Sequence, residues 1–169
     1  IEMIDYSLAR SRFIGMIQKN NNSDLYKIGC IGKIHSFSET NDGRYLISLQ
    51  GTSCFKVIKE IEKKYNFRIV DAEVLSNNEN IDFLNDNQKV NLIKKYKQYI
   101  NIKNINMNLE DIEKIEFSQI IKFIAMVSPF KDEDKQVLLE TQNLVDFYNK
   151  LLSIIELELV GDFSSKTIN

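Results

Sequence analysis

The sequence predicts an α+β chain: a small, bent antiparallel sheet in the N-terminal half and helices in the C-terminal half. Three observations predict it. Residues 25–58 read as a hairpin. An apolar run over 28–37 rises into Ser38-Glu39-Thr40, Asn41-Asp42-Gly43 punctuates it, and a return strand alternates Tyr45, Ile47 and Leu49 with Arg44, Leu46 and Ser48. An Asp-Gly pair suits a two-residue hairpin turn, because both central residues need positive φ. Second, Gly29, Gly32 and Gly51 fall in or beside these strands. Glycine there weakens the ladder and marks bends, and repeated bends let a small sheet curl on itself. Third, from residue 86 onward the apolar period changes from two to that of a helix.

Residues 1–10 read as a short helix. Ile1, Ile4 and Leu8 recur at three- and four-residue steps, and Glu2 and Asp5 suit the positive end of its dipole. Residues 12–18 read as a strand, apolar at Phe13, Ile14, Met16 and Ile17. The asparagine-containing stretch 19–24 is a loop. Gly51 is expected to break the return strand, with a further strand over 54–58. The charged stretch 59–64 then connects to a strand over 65–75 that turns Phe67, Ile69, Ala72 and Val74 inward. Residues 76–80 are the expected boundary, which divides the chain into 1–76 and 77–169.

In the helical half, residues 86–100 carry Val90, Ile93 and Ile100 on one stripe, with Leu92, Tyr96 and Tyr99 beside it. Residues 101–108 read as a linker. Residues 116–127 place Phe117, Ile120, Ile121 and Ile124 on one face, and Pro129 ends that helix because the residue before proline avoids the helical region. A helix over 132–140 has Asp132, Glu133 and Asp134 at its positive end. Asn143 and Asp146 form a capping-box-like start for a helix over 144–159, with Leu144, Phe147, Leu151, Ile155 and Leu159 buried. Gly161 is the expected stop, followed by a polar tail.

The runs RFIGMIQ (12–18), LYKIGCIGKI (25–34), DGRYLISLQG (42–51) and CFKVI (54–58) resemble, in order and spacing, the LON substrate-binding domain. That is the N-terminal domain of the ATP-dependent Lon protease, also found alone as a small bacterial protein. PFKDEDKQVLLE (129–140) and the helix after it resemble the closing helical segment of the same family. Cys54 departs from the pattern, which more often has a basic residue before that aromatic. The resemblance implies a PUA-like bent β-barrel followed by a C-terminal helical subdomain. Residues 1–76 would be the barrel part without its first strands, and 77–169 the helical part of the same LON domain. It further implies a non-catalytic module that recognises apolar or unfolded client segments, partnered by a Lon-type protease. The alternatives are an RNA-binding PUA-like module or the N-terminal fragment of a full-length Lon protease. A missing first strand would leave a sheet edge open and invite self-association.

Composition narrows the function classes. The 169 residues are 43% hydrophobic and 27% charged, values of an ordinary globular chain long enough to bury a core. Net charge is −2 with both signs mixed, so the basic surplus of a nucleic-acid binder is missing. The densest basic cluster, Lys94-Lys95 with Lys97, reads as a solvated helix face. No stretch approaches the roughly 18 apolar residues of a membrane span, and Ile1-Glu2-Met3 does not open a signal peptide. The expected location is cytoplasmic. Cys30 and Cys54, the two cysteines, read as reduced core thiols, with a disulfide between neighbouring strands as the alternative.

No catalytic, cofactor or metal site is expected. Gly29-Cys30-Ile31-Gly32-Lys33 lacks the P-loop spacing and leads into a strand. His35 is the single histidine, and with Cys30 and Cys54 it lacks the paired spacings of zinc motifs. There is no G-x-S-x-G elbow. Glu110-Asp111 and Asp132-Glu133-Asp134 sit at expected helix starts, where dipole and capping roles account for them. Neither the ATPase P-loop nor the Ser-Lys proteolytic domain of Lon has a counterpart. Binding remains. Tyr6, Tyr26, Tyr45, Phe55, Phe67, Tyr96 and Tyr99 are expected to be mainly core, and exposed ones would suit contact with loosely folded polypeptide. Which residues bind substrate is left open.

Overall fold

The computed structural model describes residues 1–61, 65–76, 84–109 and 112–166, without the side chains of residues 113 and 162–166. Contacts divide the chain into two compact units, Ile1–Asn77 and Asn78–Asn169. The first holds α1 (Glu2–Leu8) and strands β1 (Phe13–Met16), β2 (Ile28–Glu39), β3 (Tyr45–Ile61) and β4 (Ile69–Val74). The strands form one antiparallel sheet in the order β1-β2-β3-β4. The second unit holds α2 (Asp86–Ile102), a 3-10 turn (Ile112–Lys114), α3 (Phe117–Val127), α4 (Asp132–Leu139) and α5 (Leu144–Lys166).

The sheet bends where its register slips. Ile31 pairs with Ser53 but Gly32 with Gly51, so Thr52 is an extra residue on β3, and its hydroxyl donates to the Ile31 carbonyl at 3.1 Å. Ile34 pairs with Leu49 but Ser36 with Ser48, which leaves His35 extra on β2. Val57 pairs with Ala72 but Lys59 with Asp71, which leaves Ile58 extra on β3. Each bulge strengthens the local twist. Gly51 therefore does not break the return strand, and residues 59–61 are not a connection: β3 is one strand of 17 residues that absorbs its bends as bulges.

The hairpin turn also differs from the expected two-residue form. Gly43 N–H donates to the Thr40 carbonyl, Thr40 N–H donates to Arg44, and only Gly43 has positive φ, at 75°. This is a three-residue loop, a tight turn followed by a left-handed glycine. Asp42 explains the choice. Its carboxylate accepts from the Arg44 guanidinium at 2.7 Å and from the Thr40 hydroxyl, bonds that hold its pKa below the usual value.

The first unit has a small core. Ile4, Ile14 and Ile34 are buried, with Leu8, Tyr45, Ile47 and Leu49 packed on them. Ile1 is exposed rather than part of the helix stripe. Ser7 is buried in its place, and its hydroxyl donates to the Phe13 carbonyl at 3.0 Å. β4 is shorter than expected, and its Ala72 and Val74 are exposed rather than buried.

The second unit has a large core built on α2, α3, α4 and α5, including Leu92, Tyr96, Ile120, Ile121, Ile124, Leu151 and Ile155. The buried stripe of α2 is Leu92, Tyr96, Tyr99 and Ile100, whereas Val90 is exposed and Ile93 only partly covered. In α5 Leu144, Leu151, Ile155 and Leu159 are buried as expected, whereas Phe147 is only partly covered and Tyr148 beside it is buried. α5 also runs through Gly161 to Lys166 instead of stopping. Ser128 is extended before Pro129, as proline demands. Residues 77–80, 62–64, 167–169 and the Glu110-Asp111 pair lie outside the described residues.

Candidate functional site

The first unit carries a mainly apolar pocket of about 310 Å³ between α1 and the sheet. Its floor begins at Phe55, which is 4% exposed. A Cβ added to Gly15 would come within 3.0 Å of the Phe55 ring. One added to Gly29 would lie 2.9 Å from the same ring and collide with the Met16 carbonyl oxygen. Two glycines on adjacent strands thus make the shelf on which the ring lies. β1 and β4 stand at opposite ends of the pairing order, yet Phe13 and Ile14 from one and Ile69 and Val70 from the other line the same pocket. The sheet is curled that far.

One wall is aromatic. Tyr6 meets Tyr65 at 5.0 Å and Phe67 at 5.4 Å edge-to-face, and Tyr65 stacks on Phe67 at 5.2 Å. The Arg10 guanidinium lies 3.5 Å from the Tyr6 ring centroid, a cation–π contact that fixes the ring from outside the pocket. α1 is tied down by polar contacts at its edges. The Tyr45 hydroxyl donates to Asp5 at 3.1 Å and Asn66 donates to Glu2 at 2.8 Å. The Asp5 carboxylate raises the Tyr45 pKa above its ordinary value. Arg12 turns the chain from α1 into β1 with φ at 62°, a left-handed conformation costing about 1–3 kcal/mol unless neighbours hold it. Its N–H donates to Ser7 and its carbonyl accepts from Ile34, and these bonds do hold it.

Phe13 at 45% and Met3 at 36% exposure stand at the rim, and Phe37 at 49% lies further along β2. Among the aromatics singled out from the sequence, Tyr6, Phe55 and Phe67 come together at this pocket. Tyr26 lines a neighbouring, more polar concavity, while Tyr96 and Tyr99 belong to the helical core. Sequence reasoning missed Phe13 and Phe37 as exposed aromatics. Along a strand, neighbouring side chains alternate, so with Ile14 buried in the small core Phe13 is left more exposed, at the pocket rim.

The remaining candidates are dispersed. His35 is exposed at its bulge, and Cys30 and Cys54 face each other across β2 and β3 without a disulfide. Of the basic cluster, Lys94 and Lys97 are exposed as expected, but Lys95 pairs with Glu156 at 3.0 Å. Among the described residues there is no group of three or more His, Cys, Asp or Glu placed to hold a metal, and no helix long and apolar enough to cross a membrane.

A family model described as the ATP-dependent protease La (LON) substrate-binding domain matches residues 1–156. The chain belongs to the LON substrate-binding domain family. Its fold agrees with solved LON relatives. The crystal structure of a Lon N-terminal domain protein from Xanthomonas campestris superposes with a TM-score of 0.64 at 15% identity, covering 90% of this chain and 81% of that one. The N-terminal domain of the Mycobacterium avium complex Lon protease superposes with a TM-score of 0.64 at 14% identity, covering 90% and 82%. At these identities the likeness shows the LON fold alone, a bent sheet followed by helices. Comparison with curated protein sequences gives no match.

Proposed function

We propose that this LON domain is a non-catalytic protein-binding module that takes apolar segments of unfolded clients into the pocket between α1 and the sheet. The observation that carries the reading is the pocket itself: a concavity walled by Tyr6, Phe67 and Val57, floored by Phe55 and rimmed by Phe13 and Met3. Rigid aromatic and thioether surface recognises apolar side chains without demanding one sequence. Binding is assigned to residues 1–76, with residues 77–169 as the helical C-terminal part of the same LON domain. Membership of the family supports a Lon-type protease as the partner that consumes the client, in the cytoplasm.

Titration of the chain with a permanently unfolded, reduced and alkylated model protein tests this. Micromolar-range binding is expected, and Phe13→Ala, at an exposed rim position, should weaken it roughly 5- to 30-fold with little change in thermal stability, the range of about 1–2 kcal/mol for one interface anchor. No binding to any unfolded client defeats the proposal. Binding to RNA that falls steeply with added salt would favour the nucleic-acid alternative instead.

A further inference from the structure

Cys30 on β2 and Cys54 on β3 are direct register partners. The hydrogen-bond pattern fixes which kind of pair they form. Val57 N–H donates to the Lys27 carbonyl at 2.7 Å, which makes Lys27 and Val57 a hydrogen-bonded pair. The register runs without a shift from there through Ile28–Lys56 and Gly29–Phe55 to Cys30–Cys54. Such pairs alternate along an antiparallel ladder, so Cys30 and Cys54 form a non-hydrogen-bonded pair. The other neighbour agrees: Leu75 N–H donates to the Cys54 carbonyl at 2.9 Å, so that backbone group of Cys54 points at the β4 side and not at β2.

Non-hydrogen-bonded partners stand at about 4.5 Å between Cα atoms, with their side chains on one face and close together. A disulfide accepts Cα separations of about 4.4–6.8 Å. The two thiols therefore sit where a bond closes with little backbone movement, at the short and strained end of the range. Strained disulfides are the reducible, regulatory ones. Met16, 55% exposed, is the partner of Cys30 on β1, so three sulfur side chains lie in one row across β1, β2 and β3. Both cysteines are only partly covered, which leaves the row open to a small oxidant.

We propose that Cys30 and Cys54 form a reversible cross-strand disulfide, with a low-molecular-weight disulfide such as oxidised glutathione as the oxidant. The Cys30 thiolate attacks one sulfur of the oxidant, forms a mixed disulfide and expels one thiolate. The Cys54 thiolate then attacks the Cys30 sulfur, forms the Cys30–Cys54 bond and expels the second. Two protein thiols are oxidised, the oxidant is reduced to two small thiols, and the two protons pass through solvent to the expelled thiolates. Burial, and then the neighbouring Cys30, push the Cys54 thiol up, so the closing step quickens as pH rises. The bond would pin the rung beside Gly29–Phe55, at the pocket floor. It does not rest on the client-binding reading.

The test is intact-mass measurement of the native full chain after incubation with oxidised glutathione, without reductant. The expected product has lost two hydrogens, carries no glutathione, resists maleimide at both cysteines, and returns to the dithiol in excess reduced glutathione. Cys30→Ser and Cys54→Ser should each stop at a single glutathione adduct. A wild-type chain that stops at glutathione adducts, stays unmodified, or crosslinks to a second chain overturns the proposal. So does a bond that forms only in denaturant or that reduced glutathione fails to open.

Discussion

Gly29 and Gly161 are both glycines in regular elements, and they have opposite meanings. At Gly29 an added methyl meets the Met16 carbonyl oxygen and the Phe55 ring, and neither the backbone of β1 nor a buried ring can move aside cheaply. Gly29→Ala should cost about 1–3 kcal/mol, read as a lower urea midpoint. At Gly161 nothing lies within 4 Å of the added atom, and the residue is inside α5. Gly161→Ala should be neutral to stabilising by up to about 1 kcal/mol, because it removes a helix-interior glycine. The sequence alone reads Gly161 as a stop and Gly29 as a bend, since what a missing Cβ leaves room for depends on neighbours far along the chain. Tyr96 gives a pH effect at the same scale. Burial raises its pKa from 10.0, partly offset by the Ser128 hydroxyl that donates to it at 3.3 Å. The folded state thus keeps this proton longer than the unfolded state. The Tyr96 contribution to stability is constant below about pH 10 and is lost as pH rises above it. Urea midpoints across that range should decline, and Tyr96→Phe should make the decline shallower.

The elements show how local signals set type but not extent. The alternation of Tyr45, Ile47 and Leu49 was legible and correct, and so was the Ser128–Pro129 stop. The length of β3 was not, because a bulge is a property of two strands: Thr52 becomes extra only once Ile31 and Gly32 have chosen partners. Caps were partly legible. The Asn143 side chain accepts from the N–H groups of Val145 and Asp146, at the helix start its sequence suggested. The full capping box lies instead at Asn85 and Gln88 of α2, a reciprocal pair that reading the helix from residue 86 left unseen. Asn85→Ala should destabilise the helical unit by about 1 kcal/mol, measured by chemical denaturation followed at the helical circular-dichroism band.

For the whole molecule, the two units carry cores of very different size. Among the described residues, seventeen buried ones form the helical cluster and three form the sheet cluster. Denaturation should accordingly show two transitions. Backbone amides of β2 and β3 should lose hydrogen-exchange protection at lower urea than those of α3 and α5; a single coincident transition would contradict this. With net charge −2 and a pocket lined by aromatic and aliphatic side chains, client binding should also depend only weakly on salt.

The chain's own residues were enough to specify an α+β order of elements, a glycine-bent hairpin and the LON likeness, because periodicity, turn chemistry and motif spacing are carried by neighbours in sequence. Tertiary structure alone decided that Phe55 lies on Gly15 and Gly29, that Phe13 stands at a pocket rim, and that Cys30 faces Cys54 on a rung free of backbone bonds. Those are distances between segments remote along the chain, and a shift of register by one residue would turn each side chain to the opposite face.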